Sequence, residues 1–499
     1  MKPSFARHLA VLGTGSNVGK SLLTAAICRG LHAAGLRVAP YKAQNMSNNS
    51  YVAPDGGEIG RAQYLQALAC GIEASVHHNP VLLKPAADDS SQIIVRGQAV
   101  DHLRAREYFA RNAELRAIAH QSLDHLIAEH EVVVLEGAGS CAEVNLRSRD
   151  FVNFAAAAHA KARVILVADI DTGGVFAQVV GTLAVIDDAD REQIAGIVIN
   201  KFRGDRSLFD DGVEYLERRT GVPVLGVVPF LYGLDLDAED ALPMATRFDP
   251  PLHADLDQLR IAVIGLPHIS NHTDLHALAR VPGVAIHVLT RPRELGNYAA
   301  VIVPGSKAVV SDLHWLEQTG LAQRLLQYHA QKGRILGICG GFQMLGSSII
   351  DTNALESTAP VTPGLGILRA VTSFVAPKLV RRTRAKLLRE NEAFSGYEIH
   401  LGRTQVEAHE PLLELETAQG PVSDGVRDDE LRVWGTYLHG LFDEAPLRNA
   451  FLRWVSPGWV AAGDEITRLQ WLDRELDRFS QHVRSHLDWA RIERWARGD

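Results

Sequence analysis

Short apolar runs recur through this chain, each closed by glycine or a polar cluster and most followed by apolar positions at helical spacing. Runs so bounded predict buried strands. Those at 8–12, 38–42, 131–135, 163–168 and 194–199 alternate with helical stretches such as 22–34. The alternation predicts an α/β fold with a mostly parallel sheet and ligands at the carboxyl ends of its strands. The segment 220–230 closes this first unit, expected over 1–240. Periodicity then fades, and Pro243, Pro250 and Pro251 mark a linker over 241–258. A second α/β unit is expected over 259–450, with runs at 260–265, 300–303, 334–338 and 433–442. In the last stretch, 451–499, Ile466, Leu469, Leu472, Leu476, Phe479, Val483 and Leu487 fall at helical spacing. Charges of both signs alternate on its other face, so this helical tail is expected to pack on the body or on a second subunit, not on a membrane.

Length and composition narrow the class. A chain of 499 residues exceeds one core, and 46% apolar with 22% charged residues is ordinary for a globular protein. A formal charge of −8 argues against general nucleic-acid binding. Cys28, Cys70, Cys141 and Cys339 are scattered without metal-ligand spacing, which suits a reducing cytoplasm. Neither a signal peptide nor a membrane span is expected.

Two stretches carry the chemistry. Residues 333–346 read GRILGICGGFQMLG, an apolar run that turns through glycines into a helical pattern. Cys339 thus sits in G-x-C-x-G, the thiol counterpart of a nucleophile elbow, with the Gly340 N–H free to hold an oxyanion. A buried structural cysteine is the bland alternative, and the flanking glycines weigh against it. About a hundred residues on, VWGTYLHGLF ends its apolar run near His439, a candidate base. At the other end, GTGSNVGKS (Gly13, Thr14, Gly15, Ser16, Asn17, Val18, Gly19, Lys20 and Ser21) stands between a strand and a helix, the context of a phosphate-binding loop. Lys20 would reach the terminal phosphates of ATP and Ser21 would ligate Mg²⁺. Its first glycine lies one place earlier than the common pattern. Glu136, ending the run 131–135, is the expected metal-linked acid, with a capping role as the alternative. Asp169 and Asp171 could order Mg²⁺ or substrate. The polar stretches KAQNMSNNSYV, GGEIGRAQ and NPVLLKPAADDSSQ are either turn-rich loops or a substrate grip, through Lys42, Gln44, Asn45, Ser47, Asn48 and Glu58.

These motifs also carry a resemblance. GICGGFQMLG followed by GTYLHGLFD is similar to class I, Cys–His glutamine amidotransferase domains, which have a flavodoxin-like fold. The shifted glycine loop is similar to that of dethiobiotin synthetase, and Asn200 with Lys201 resembles the base-recognition element of P-loop proteins. The three polar stretches resemble the cobyric acid synthase family in particular, and the resemblance as a whole runs from Val11 through Asp443. The resemblance implies a glutaminase site, with Gly305 and Ser306 of PGSK as further oxyanion candidates, joined to an ATP-dependent amidoligase. The implied substrate is a corrinoid: the b, d, e and g carboxylates of (adenosyl)cobyrinic acid a,c-diamide. Glutamine is the co-substrate, no tightly bound cofactor is expected, and the working form is a monomer or homodimer.

The chain departs from the pattern in two places. Leu441 stands where many relatives have a histidine-orienting Glu, so a dyad, or help from Asp443 or Glu444, is expected, with a modest glutaminase rate. Thr172 replaces a usual basic residue. His400, mid-run, reads as structural. Three rivals remain: an a,c-diamide synthase, a peptidoglycan-precursor amidotransferase and a partition-type ATPase switch. The last gives Cys339 and His439 no use.

Overall fold

The apolar runs of the first half assemble into one six-stranded parallel sheet. Its order is Val224–Pro229, Ile194–Phe202, Arg163–Asp169, Leu9–Gly13, Val132–Glu136 and Val38–Tyr41. The computed structural model describes residues 6–87, 90–236, 247–251, 253–407, 409–460 and 466–499. Central strands are buried on both faces, which is why they read as unbroken apolar runs. Leu123, Phe154, Val179 and Leu183 cover one face. Helices Lys20–Ala33 and Arg61–Ala69 cover the other.

The carboxy-terminal helix Arg468–His486 returns to this same face and packs along Lys20–Ala33. Leu472, Leu476, Phe479 and Val483 are buried there, each contributing roughly 1.5–3 kcal/mol. Arg29 pairs with Asp473 and Asp477 at 2.8 and 2.7 Å. The tail therefore belongs to the body. Leu469 departs from the expected stripe and is 51% exposed.

The second sheet is parallel through Arg247–Phe248, Val284–Leu289, Leu259–Ile264, Ala300–Val303, Ile335–Ile338 and Val433–Thr436, with Val426–Asp428 antiparallel at its edge. Part of the expected linker thus supplies an edge strand. Residues 237–246, with Pro243, lie outside the described residues, as does Asp464. Beside it is a mixed, mostly antiparallel sheet dominated by the long hairpin Ala370–Leu387 and Glu392–Val406, which sequence periodicity did not reveal.

That hairpin reaches the first domain. Lys378 Nζ donates to Glu58 Oε2 at 2.7 Å, and Lys84 Nζ donates to Glu58 Oε1 at 2.6 Å. Burial would raise the Glu58 pKa, but the two ammonium groups hold it well below the usual carboxylate range. Glu58 is thus an interdomain anchor, 1% exposed, and not the substrate ligand expected from sequence. Glu58→Gln should destabilise the protein by about 3 kcal/mol, because it strands two buried cations. Since the folded-state pKa of Glu58 is depressed, this contribution is present above pH 4.5 and lost as the pH falls, and because burial lowers Lys378 to about 7, the share of that partner also fades above neutrality. Denaturant unfolding of both forms, repeated toward acid pH, should show the gap closing.

Candidate active sites

Cys339 follows strand Ile335–Ile338 and caps helix Gly340–Leu345 with φ 50° and ψ −107°. This backbone is strained for a residue with a Cβ, at a cost of order 1–3 kcal/mol. The glycines serve otherwise than by turning. A Cβ on Gly341 would stand 2.0 Å from the Val303 carbonyl oxygen, and one on Gly340 would stand 2.8 Å from the Ser306 nitrogen. Bare glycine lets the elbow seat against the 303–306 loop, bringing the Ser306 backbone beside Cys339. Asp312 fixes that loop by accepting from Ser306 Oγ at 2.6 Å and facing His268 Nδ1 at 2.8 Å. Gly305 lies between Ser270 and His439, where a Cβ would stand 3.1 Å from the imidazole Cε1.

His439 lies three residues past the end of strand Val433–Thr436 and is fully buried. Its Nδ1–H donates to Asp274 Oδ2 at 2.7 Å, and the Gly440 N–H donates to Asp274 Oδ1 at 2.7 Å. Burial would lower the imidazole pKa, but the Asp274 charge, its hydrogen bond and the Cys339 thiol push it up to about 10. Nε2 is buried without a hydrogen-bond partner among the described residues, available to the thiol or a leaving group. The set Cys339, His439 and Asp274 has the parts of a nucleophile, a base and an orienting acid. Asp274 corrects the expectation of a dyad or of help from Asp443 or Glu444. Glu444 instead accepts from the Ser395 N–H at 3.1 Å. Beside Cys339, a cavity of about 50 Å³ includes Gly340, Gln343 and Ser306 and reaches Lys84 and Gln92 of the first domain.

Asp274→Asn should lower glutamine-dependent turnover by roughly a hundredfold or more, with the fold retained. Because the His439 pKa is raised, its pairing stabilises the protein fully below pH 6.5, and that stability is lost as the pH rises through about 10. Thermal midpoints of both forms should therefore differ most below pH 6.5 and converge toward pH 10.

The other site opens at the carboxyl ends of the first sheet, as a cavity of about 1170 Å³. Gly19 takes φ 96°, a left-handed conformation suited to glycine, and a Cβ there would collide with Asn200 Nδ2 at 2.3 Å. Lys20 Nζ donates to the Gly15 and Gly139 carbonyls at 2.9 and 2.8 Å. Ser21 Oγ donates to Glu136 Oε1 at 2.7 Å, where Lys42 Nζ also donates at 2.9 Å, while Gln66 Nε2 donates to Oε2 at 2.6 Å. Burial would raise the Glu136 pKa, yet Lys42 and these donors keep it below its ordinary value. Met46, Leu83, Ile93, Tyr108 and Phe109 give the cavity an apolar part of its lining.

With both sites described, likeness to known proteins can be set beside them. The CobQ/CobB/MinD/ParA nucleotide binding domain matches residues 9–243, and the CobB/CobQ-like glutamine amidotransferase domain matches 260–447. The chain is 48% identical to "Cobyric acid synthase" of Chlorobaculum tepidum, over 97% of this chain and 97% of that protein. It is 46% identical to the protein so named in Chlorobium phaeobacteroides strain BS1 (97% and 98%) and 45% to that of Rhodococcus jostii (97% and 94%). The chain belongs to the cobyric acid synthase family.

Within this family member, the residues singled out from sequence divide by position. Lys42, Gln44, Asn45, Glu136 and Lys201 line the large cavity together with Ser16, Asn17, Gly19, Lys20 and Ser21. Asn200 does not line it. Its Nδ2 donates to the Val18 carbonyl at 2.8 Å, so its donor braces the loop and is not offered to a base. Lys201 Nζ likewise donates to the Asn17 carbonyl at 2.5 Å and to Asp169 at 2.8 Å. Asp169 is thereby committed to Lys201 and Asp171 to Arg203 at 2.7 Å, and neither lines the cavity. Thr172 is exposed beside them. Ser47 turns inward to Asn49, and Asn48 also stands outside the cavity. His400 stacks on Tyr437, faces Gly402 and Glu398, and lines the small cavity beside Cys339. Asp274 gave no sequence signal, since it lies 165 residues from the histidine it holds.

Proposed function

We propose that this chain transfers the amide nitrogen of glutamine to peripheral carboxylates of a corrinoid, at the expense of ATP. The b, d, e and g positions of (adenosyl)cobyrinic acid a,c-diamide are the acceptors and (adenosyl)cobyric acid is the product. The observation that carries the reading is a Cys–His–Asp set and a phosphate-loop cavity on one chain, with a small cavity beside Cys339 that reaches Lys84 and Gln92 of the first domain.

At the carboxy-terminal site, the Cys339 thiolate attacks the carboxamide carbon of glutamine. The developing oxyanion faces the backbone N–H groups of Gly340 and the 305–306 loop. His439 hands its proton to the departing nitrogen, ammonia leaves, and water then releases glutamate from the thioester. Asp274 keeps the imidazole in register and stabilises its cationic form.

At the amino-terminal site, a carboxylate oxygen of the corrinoid attacks the γ-phosphorus of ATP and ADP departs. Ammonia then attacks the acyl carbon, and phosphate leaves with the former carboxylate oxygen. Lys20 and the loop N–H groups neutralise phosphate charge. Ser21 and Glu136 suit Mg²⁺: both are oxygen donors, the acid is ionised, and they stand within 2.7 Å of each other. Bound there, Mg²⁺ would neutralise phosphate charge. Lys42, Gln44 and Asn45 lie where they would meet the substrate carboxylate, and the Met46–Tyr108–Phe109 wall offers an apolar surface for a macrocycle. Buried free cysteines suit a cytoplasmic enzyme, and among the described residues no helix is long and apolar enough to cross a membrane.

Oxygen-18 in the substrate carboxylates tests the activation step. Each amide formed should deliver one labelled oxygen to inorganic phosphate. Amidation without label in phosphate would overturn the acyl phosphate.

A further inference from the structure

Among the described residues, five basic side chains line the large cavity: Lys20, Lys42, Arg147, Arg149 and Lys201. Three of them face a carboxylate of the chain itself. Lys42 meets Glu136 at 2.9 Å, Arg147 grips Asp190 at 2.5 and 2.6 Å, and Lys201 meets Asp169 at 2.8 Å. Lys20 belongs to the phosphate loop. Arg149 pairs with no carboxylate among the described residues; its guanidinium lies over the Phe109 ring, 4.7 Å from the centre, on an exposed side chain. The adjacent Asp150 accepts the Val152 and Asn153 N–H groups at 2.9 and 3.0 Å, and Glu143, exposed on the same lining, makes no ion pair with Arg149.

The ring beneath Arg149 leads back to the reacting end. Tyr108 and Phe109 are consecutive in helix Ala105–Ala110, their rings 5.8 Å apart, and the Tyr108 hydroxyl donates to Gln44 Oε1. Gln44 is among the residues placed to meet the carboxylate under activation. Two aromatic rings thus separate that group from the unpaired cation, an arrangement that suits a flat macrocycle bearing acids along its edge. Asn112 steadies the Arg149 end, its Nδ2 donating to the Arg149 carbonyl at 2.7 Å. The substrate supplies a partner at every step. Of the positions a to g, a and c start as amides and b, d, e and g become amides, so f is still a carboxylate when the last of them reacts. The ring must turn between steps, and the second contact has to accept whichever acid faces it. An exposed guanidinium on a long stem can do so, whereas a buried and fixed one could not.

We propose that Arg149 is a specificity-determining residue: it holds a carboxylate of the corrinoid other than the one being activated, and so turns the reacting acid toward Gln44 and the phosphate loop. This deepens the functional reading above and rests on it. A guanidinium–carboxylate contact is charge-assisted, so it favours an acid over an amide or an ester at this position. Amides made at earlier steps cannot take the place of the acid there.

The test is ammonium-driven amidation of the a,c-diamide by the full chain with Mg-ATP, which leaves the glutaminase site out of the measurement. Arg149→Gln should raise KM for the a,c-diamide about tenfold, with kcat within about twofold and KM for ATP unmoved. Arg149→Lys keeps the charge and should recover most of the loss. Equilibrium binding separates recognition of charge from the shape of the cavity. Arg149→Gln should weaken binding of the a,c-diamide about tenfold, and that of the corrinoid with every carboxylate methyl-esterified by less than about twofold. Equal weakening of the two ligands would make Arg149 a prop for Phe109, and a raised KM for ATP would assign it to the nucleotide. Either result overturns the anchor, as does a KM for the a,c-diamide that ignores Arg149→Gln. Absence of amidation by the unaltered chain, with either nitrogen source, would overturn the functional reading and the anchor together, whereas amidation indifferent to Arg149 overturns the anchor alone.

Discussion

Cys339→Ala should abolish glutamine-dependent amidation, by a factor of at least about a thousand, while ammonium salts still drive the reaction. The thiol is the only atom in the account that bonds to glutamine, and alanine leaves no nucleophile in its place. The loss should fall on kcat, since the alanine side chain makes room for glutamine. The smaller side chain also leaves the φ 50° backbone as it was, so the elbow keeps its place against the 303–306 loop. Amidation measured with each nitrogen source in parallel gives the result. Equal losses with glutamine and ammonium would mean that Cys339 serves the fold, and an ATPase switch would show no amidation with either.

Lys20→Ala gives the contrasting pattern. Its ammonium group is buried within the loop, held by the Gly15 and Gly139 carbonyls. Those carbonyls are weak partners beside a triphosphate, so the side chain is placed to exchange them for phosphate oxygens. Removing a charge aimed at a transferring phosphoryl group costs about a hundredfold to a thousandfold in rate. The loss should be the same for glutamine and for ammonium, because activation of the carboxylate precedes either. A variant that failed only with glutamine would place Lys20 in the nitrogen supply and contradict the division of labour.

The parallel sheets and both glycine turns were legible because strands buried on both faces leave unbroken apolar runs that end in motifs. Cys339 and the loop at 13–21 each gather their chemistry within one short segment. What escaped depends on distance along the chain. Asp274 contacts His439 across 165 residues, and no spacing rule spans that gap. The hairpin Ala370–Leu387 and Glu392–Val406 escaped for a different reason. Its faces meet solvent, its own domain and the first domain in turn, so its apolar pattern is broken. Glu58, Asp169 and Asp171 looked like ligands because carboxylates near a phosphate loop usually are. Each has a cation of this chain beside it, Lys84 and Lys378, Lys201, and Arg203, which only the fold brings near, and unlike Glu136, which also holds Lys42, none of the three lines the large cavity. The tail showed its apolar stripe in sequence but not the helix that would cover it.

Nitrogen-15 in the side-chain amide of glutamine tests the central claim most directly. With Mg-ATP and cobyrinic acid a,c-diamide, mass spectrometry of the corrinoid should find the label at the b, d, e and g amides, with glutamate released in step. Label left in free ammonium, with the corrinoid carboxylates intact, would contradict the union of the two sites in one reaction.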